Sequence, residues 1–438
     1  MGAPASRPAG VVVVGGGVVG VSAAMHLQRA GHRVTLIEQN TPGSGASGHN
    51  GAVLNVGECL PTGMPGILRS IPRLMVDRHA ALIVRYRYVP RLSPWLVRFI
   101  RSSATSRVEV ISEAMKQLTD RAVDGYRPIV EGTPAAGMIY DGGMLLGYLS
   151  ERTFAADSFS NELRTRRGTK FEIFGDKEIT ALDPVLAGRF TRGVYRPDVR
   201  FLIDSQGFVE RLAEDFVARG GEIWPAVAER LETGGGRVVA VTTSRGRVPA
   251  ETVVIAAGAW SRRLVRQLDF DVPLDSERGY GVYLPDPGVE VKVPVVVQDS
   301  HIGIGMCRTG VQLTGIDELS SADAPARYSV TKRMIDAATT VFPELRTDGA
   351  VPWMHCRPSM PDSLPVIGAV PGYPNAYMAF GHGHKGLGMG GITGELVRQL
   401  VDGEPTTVDV EPYSPLRFSR RRRRPAYAGP SADDGTQR

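Results

Sequence analysis

The decapeptide VVVVGGGVVG, residues 11–20, constrains the fold more than any other stretch of the chain. Four consecutive valines suit a strand buried on both faces. Gly15, Gly17 and Gly20 follow at G-x-G-x-x-G spacing and open a helix through Ala23, Ala24, Leu27 and Ala30. In such a loop Gly15 permits the tight turn, Gly17 lets the backbone approach a pyrophosphate, and Gly20 lets helix and strand pack closely, while the helix N-terminus offers free N–H groups to phosphate oxygens. A second strand, Arg33 to Ile37, ends at Glu38, eighteen residues after Gly20, where a carboxylate accepts ribose hydroxyls and repels a 2′-phosphate. Strand, loop, helix, strand and acid in this order predict a Rossmann-like dinucleotide-binding domain.

The same glycine spacing recurs in FGHGHKGLGMGG, at Gly381, Gly383 and Gly386. A helix follows, with Ile392, Leu396, Val397 and Leu400 on one face and Gly403 as a stop, but no second strand: the next residues, EPTTVDVEPYSP, carry three prolines. The second loop therefore joins a strand at Ala376–Phe380 to the last helix of one dinucleotide domain. With no independent nicotinamide domain, the dinucleotide itself must carry the redox chemistry, which favours FAD over NAD. A helix beginning near Met389 would aim its positive end at the flavin pyrimidine, where negative charge develops on reduction. His382 and His384 have no third ligand spaced near them, so no metal is expected.

TVVIAAGAWS, residues 252–261, reads as a strand returning to the first sheet, and PGSGASGHNGAVLN, 42–55, as a long functional loop. Between Glu277 and Thr314, four short β-like runs spaced by Gly, Pro and Asp predict an antiparallel sheet interrupting the nucleotide domain. Other segments expected to be regular are a helix within 107–125, another from about Gly207 to Arg219, and a strand pair within 234–250. The 438 residues carry a net charge of +5, and Arg417–Arg438 alone, with seven arginines against two aspartates, accounts for all of it. This Pro/Gly/Ser-rich terminus reads as a disordered tail. Cys59, Cys307 and Cys356 form no C-x-x-C pair, which excludes a disulfide framework or thiolate metal site and fits a reducing, cytoplasmic setting. No apolar run long enough to span a membrane is present.

The Gly15–Gly20 loop with Glu38, the IAAGAWS strand, CRPSMPDSLPVIG (356–368) and FGHGHKGLGMGGITGELV together resemble the FAD-dependent D-amino acid oxidase superfamily, most closely the small subunits of bacterial D-amino acid dehydrogenases. Glycine and sarcosine oxidases and hydroxyproline dehydrogenases share these motifs. The resemblance covers nearly all of residues 10–416. It implies an α/β fold: a glutathione-reductase-like FAD domain (10–60, 201–265 and 351–416) with an inserted α+β substrate domain (61–200 and 266–350) whose antiparallel sheet roofs the flavin, followed by the tail at 417–438. Arg357 matches an arginine that pairs bidentately with the substrate carboxylate. Lys385 matches a lysine of the sarcosine oxidase G-H-G-x-K loop that D-amino acid dehydrogenases usually lack.

FAD contacts are implied at Gly15, Gly17, Val18, Val19, Gly20, Glu38, Gln39, Ser47, Asn50, Gly51, Val227, Ala257, Gly258, Gly383, Lys385, Gly386, Leu387 and Gly388. His49 lies on the loop that crosses the isoalloxazine, and Tyr280, His301 and Arg308 are candidates to line the substrate pocket. Sarcosine oxidases attach FAD to a cysteine near this motif; here His355 stands at that position and Cys356 one residue away, so the flavin is expected to be non-covalent. The implied activity is oxidative deamination of an amino acid, D-configured by the nearest resemblance, through hydride transfer from Cα to flavin N5. The alternatives are oxidation of a secondary amine such as sarcosine, glycine or a (hydroxy)proline and, more distantly, a tRNA-modifying flavoprotein or a non-catalytic FAD carrier. The electron acceptor is expected to be a quinone of the electron-transport chain or O2. Nucleic acid is not expected as a partner, and a peripheral contact with the inner face of the cell membrane is left open.

Overall fold

A computed structural model describes residues 10–67 and 82–419. Its organising element is a six-stranded sheet in the order Val366–Val370, Tyr373–Phe380, Thr252–Ile255, Val11–Val14, Val34–Glu38, Glu222–Pro225. All neighbours run parallel except the first two, which form an antiparallel hairpin. The four valines are buried because both faces of the strand are covered. Val11 and Val13 join the core under the helices Val18–Arg29, Ser205–Ala218 and Gly386–Asp402, whereas Val12 and Val14 join a second core against the three-stranded antiparallel sheet of Ala228–Gly234, Arg237–Thr243 and Gly246–Pro249. This is the burial pattern of a doubly covered parallel strand.

Gly15 and Gly20 take the turn and packing roles their spacing implies. Gly15 has φ +109°, and a Cβ there would lie 2.4 Å from Ala256 O; a Cβ on Gly20 would lie 1.8 Å from Gly15 O. The strand Thr252–Ile255 sits directly beside Val11–Val14, as expected of a returning strand. The strand Tyr373–Phe380 then pairs with it in the same sheet, so the second glycine loop belongs to the one dinucleotide domain. The helix after that loop starts at Gly386, about one turn before the expected Met389, and stops at Gly403 with φ +70°.

The second body is a larger, mostly antiparallel sheet in which Val351–Ser359, Asp275–Leu284 and Gly310–Leu319 are consecutive neighbours. Its far part continues through Ile302–Cys307 and Val295–Val297 to Met144–Tyr148, Arg192–Arg196 and Glu172–Phe174. Val351–Ser359 therefore belongs to this sheet and not to the nucleotide domain, which resumes only at Val366; the expected boundary at residue 351 falls too early, because the strand's partner at 275–284 is not a sequence neighbour. Arg417 is likewise no part of a tail: its guanidinium bonds Asp362 at 2.9 Å and Leu364 O at 2.8 Å. Residues 420–438, with the arginine run, lie outside the described residues.

Candidate active site

A cavity of about 1580 Å³ runs from the first glycine loop to the underside of the large sheet. That exceeds the ~300–1,000 Å³ of ordinary small-ligand pockets, and leaves room for a dinucleotide together with a substrate. At one end it is walled by Gly15, Gly17, Val18, Val19, Glu38, Gln39, Val227, Ala257 and Gly258, and along its middle by Ser47, Asn50 and Gly51. Gly383, Lys385, Gly386 and Leu387 bring the N-terminus of the last helix into its wall. Of the expected cofactor contacts only Gly20 and Gly388 are absent from the lining; Gly20 is pressed against Gly15, and Gly388 against Asn55. Glu38 reaches over the loop, accepting from Gly16 N at 2.6 Å and Asn40 N at 2.9 Å, while Ser47 Oγ accepts from Val18 N at 2.9 Å in the first turn of the helix. An acid over the loop, open glycines and a helix start facing the cavity suit a ribose and a pyrophosphate.

The roof over the other end is set by strand register. Glu277 lies opposite Arg357, Gly279 opposite both His355 and Asp317, and Gly281 opposite Trp353. Side chains alternate across a strand, so Glu277, Gly279, Gly281, Trp353, His355 and Arg357 share one face. The two glycines leave two troughs on it. A Cβ on Gly279 would lie 2.3 Å from Arg357 Cζ, and one on Gly281 2.1 Å from the indole of Trp353, so guanidinium and indole lie flat against the sheet. Across its trough Arg357 reaches Asp317 and forms an ion pair.

His384, from the second glycine loop, completes the cluster: Nε2 is 3.1 Å from Asp317 Oδ2 and Nδ1 is 3.8 Å from Glu277 Oε2. Glu277 also accepts from Ser359 Oγ at 2.8 Å. Burial holds His384 at a pKa of about 4, hence neutral near pH 7, and also pushes Lys385 below its ordinary value. Lys385 forms no ion pair among the described residues, so its amine stands unpaired in the cavity wall. Near it, Glu58 pairs with Arg196 at 2.6 Å; burial would raise the Glu58 carboxyl, but Arg196, Arg164, Lys385 and the Leu60 N–H together override burial and hold the pKa at about 2.

Three expectations are corrected. Tyr280 faces away from the cavity, because it alternates with Gly279 and Gly281; its hydroxyl donates to Glu318 at 2.9 Å in a buried network with Arg278 and Arg85 that braces the roof from behind. Arg308 is an exposed side chain near Asp204 and is not part of the lining, whereas His301 is. His384 does have carboxylates nearby: its ligand atom and those of Glu277 and Asp317 lie within 4.8 Å of one another, brought there by tertiary structure rather than spacing. His49 sits just outside the lining, stacked on His355 at 4.0 Å between ring centroids. Cys356 turns its Sγ to Ala322 O at 3.7 Å, on the strand face opposite Arg357.

Residues 10–400 match the family described as FAD dependent oxidoreductase (DAO). The chain belongs to this family. Its cofactor is FAD, and the protein is an FAD-dependent oxidoreductase. A D-amino-acid oxidase of Bradyrhizobium diazoefficiens is 31% identical over 417 residues, covering 93% of this chain and 98% of that protein. A D-amino acid dehydrogenase of Paramagnetospirillum magneticum is 31% identical over 424 residues, covering 93% and 99%. Among solved structures, this oxidoreductase shares its fold with a glycine oxidase of Geobacillus kaustophilus (TM-score 0.68, 21% identity, 93% and 98% covered) and an L-proline dehydrogenase of P. horikoshii (0.70, 19%, 95% and 99%). No helix among the described residues is long and apolar enough to cross a membrane.

Proposed function

We propose that this oxidoreductase deaminates an amino acid, a D-amino acid in the first instance, through loss of the Cα hydrogen as hydride. The supporting observation is a roof cation, Arg357, and an unpaired lysine, Lys385, at the end of the cavity opposite the dinucleotide loop. Two carboxylate-binding groups at that depth fit a substrate with a carboxylate, and relatives at 31% identity carry names of D-amino acid enzymes along their whole length. When bound, FAD supplies the two-electron acceptor. Arg357, seated on Gly279, presents its fork to the carboxylate and fixes which hydrogen of Cα faces the cofactor. The N-terminus of the Gly386–Asp402 helix offers its positive end where negative charge accumulates. Neutral His384 leaves that charge balance undisturbed. Once the bound ammonium has released one proton to water, the C–H bond breaks, its electron pair leaves with the hydrogen, the freed amine lone pair closes the C=N bond, and water converts the imino acid to a keto acid and ammonia.

Lys385 supports a second reading, oxidation of a secondary amine or glycine, since the loop that carries it resembles that of sarcosine oxidases and fold neighbours include a glycine oxidase and an L-proline dehydrogenase. An anaerobic flavin-bleaching screen of D- and L-amino acids, prolines, sarcosine and glycine separates the two. Bleaching by a D-amino acid, lost by ~10²-fold or more in Arg357→Ala, is the expected result. Bleaching by sarcosine or proline alone would move the second reading ahead. Reoxidation by oxygen against a quinone analogue then identifies the acceptor, for which a quinone or O2 is proposed.

A further inference from the structure

A cation that serves only to hold a carboxylate works best uncompensated, yet Arg357 is already paired. Asp317 binds it through Oδ1, and Glu277 stands directly opposite it in the neighbouring strand. Neither acid is fully engaged by Arg357. Asp317 keeps Oδ2, 3.1 Å from a histidine that carries no charge near neutral pH, and Glu277 spends one bond on Ser359. Asp317 and Glu277 share this wall of the cavity with Arg357 and the Lys385 amine. Glu58 is committed to Arg196, and Arg164 lies 3.9 Å from Asp157. A bare carboxylate entering here must draw Arg357 away and strand Asp317 as a partly buried, unpaired charge. A zwitterion strands nothing: its carboxylate replaces Asp317 on Arg357, and its ammonium replaces Arg357 on Asp317.

We infer that Asp317, seconded by Glu277, receives the substrate's ammonium group and so makes the site selective for zwitterionic amino acids over simple carboxylates. This rests on the amino acid reading above. It also gives the keto acid product, which has lost its ammonium, a reason to leave: Asp317 recaptures Arg357 as it goes. The convergence of Glu277, Asp317 and His384 is a cation-binding geometry of any kind, but an inorganic dication would face Arg357 and Lys385 with no counter-charge of its own, whereas the substrate brings its carboxylate with it.

The test is Asp317→Asn in the FAD-loaded enzyme, which keeps the side chain's shape and removes its charge, with Glu277→Gln beside it. Kd is measured for the amino acid that bleaches the flavin best, from anaerobic saturation, and for its des-amino carboxylate (propionate for alanine, 3-phenylpropionate for phenylalanine) by perturbation of the flavin spectrum. Asp317→Asn is expected to tighten the carboxylate by at least ~10-fold and weaken the amino acid by at least as much, each tenfold being about 1.4 kcal/mol; Glu277→Gln moves both the same way by less. Unchanged carboxylate affinity, or both ligands weakened together, overturns the inference. Loss of amino acid affinity after EDTA treatment of wild type also overturns it, by marking the trio as a metal site. If no amino acid bleaches the wild type, the functional reading fails on that result. The carboxylate titration of Asp317→Asn still decides whether Asp317 masks Arg357.

Discussion

Adding a single methyl group at Gly279 should disable the site while leaving the fold in place. The Cβ of Gly279→Ala would lie 2.3 Å from Arg357 Cζ and 2.4 Å from both terminal nitrogens, whereas ordinary contact begins at 3.4 Å, so the guanidinium must retreat by about 1.1 Å. What has to move is the far end of a flexible side chain and not the backbone, so the fold loses little and Tm should fall by no more than ~2–4 °C. The substrate's carboxylate, however, is displaced by the same distance from its hydride-transfer position. A misplacement of ~1 Å typically costs ~10²-fold, or about 2.7 kcal/mol of transition-state stabilisation. The assay is kcat/KM with the amino acid found by bleaching, alongside Tm and the flavin spectrum. Gly281→Ala is the contrast: there the obstruction is the rigid indole of Trp353 at 2.1 Å, so that variant should lose ~1–3 kcal/mol of stability. Wild-type kcat/KM in a normally folded Gly279→Ala protein would refute the claim that Arg357 works from its seat on the sheet.

Glu38→Ala should weaken FAD binding by ~1.5–3 kcal/mol in reconstitution titrations, because the charged acceptor over Gly16 is lost; unchanged affinity would remove Glu38 from the ribose site. Acid precipitation should leave FAD in the supernatant, since the Cys356 Sγ is engaged with Ala322 O on the strand face opposite Arg357, and yellow pellets would contradict this. Burial lowers His26 to about 4 and His382 to about 3, against an ordinary value of 6.5, so the folded state refuses protons that the unfolded chain accepts. Stability is therefore full above pH ~6.5 and falls toward pH 4, by up to ~1.4 kcal/mol per pH unit for each histidine. Urea unfolding at pH 7 and pH 5 measures the slope, and a flat profile would show that these groups do not titrate on unfolding.

The residues legible in the sequence were those whose meaning is local. Val11 to Glu38 holds a strand, a turn, a helix and an acid within one short stretch, and each appears in place. The cation site was only half legible. Resemblance singles out Arg357 and Lys385, but Asp317 lies 40 residues from Arg357 and 67 from His384; strand register brings Asp317 near Arg357, and the second glycine loop brings His384 to it. Tyr280 is a pocket candidate in the sequence, yet a strand's period of two puts it on the opposite face from Gly279 and Gly281. Those two glycines were the better signal, because glycine recurring at alternate positions in a strand marks a face on which something large must lie flat.

The six-stranded sheet also imposes an order on the chain's birth. Val11–Val14 is complete as soon as it leaves the ribosome, but one strand of its sheet, Tyr373–Phe380, is made about 360 residues later, and the last helix that packs over it later still. At ~5–20 residues per second the β-branched valine strand waits roughly 20–70 s for its sheet to be finished. Through that interval its apolar run, and the sheet edge that Tyr373–Phe380 will close, need shielding from other chains, so yield in a cell should depend more on chaperone capacity and FAD supply than on the stability of the finished enzyme.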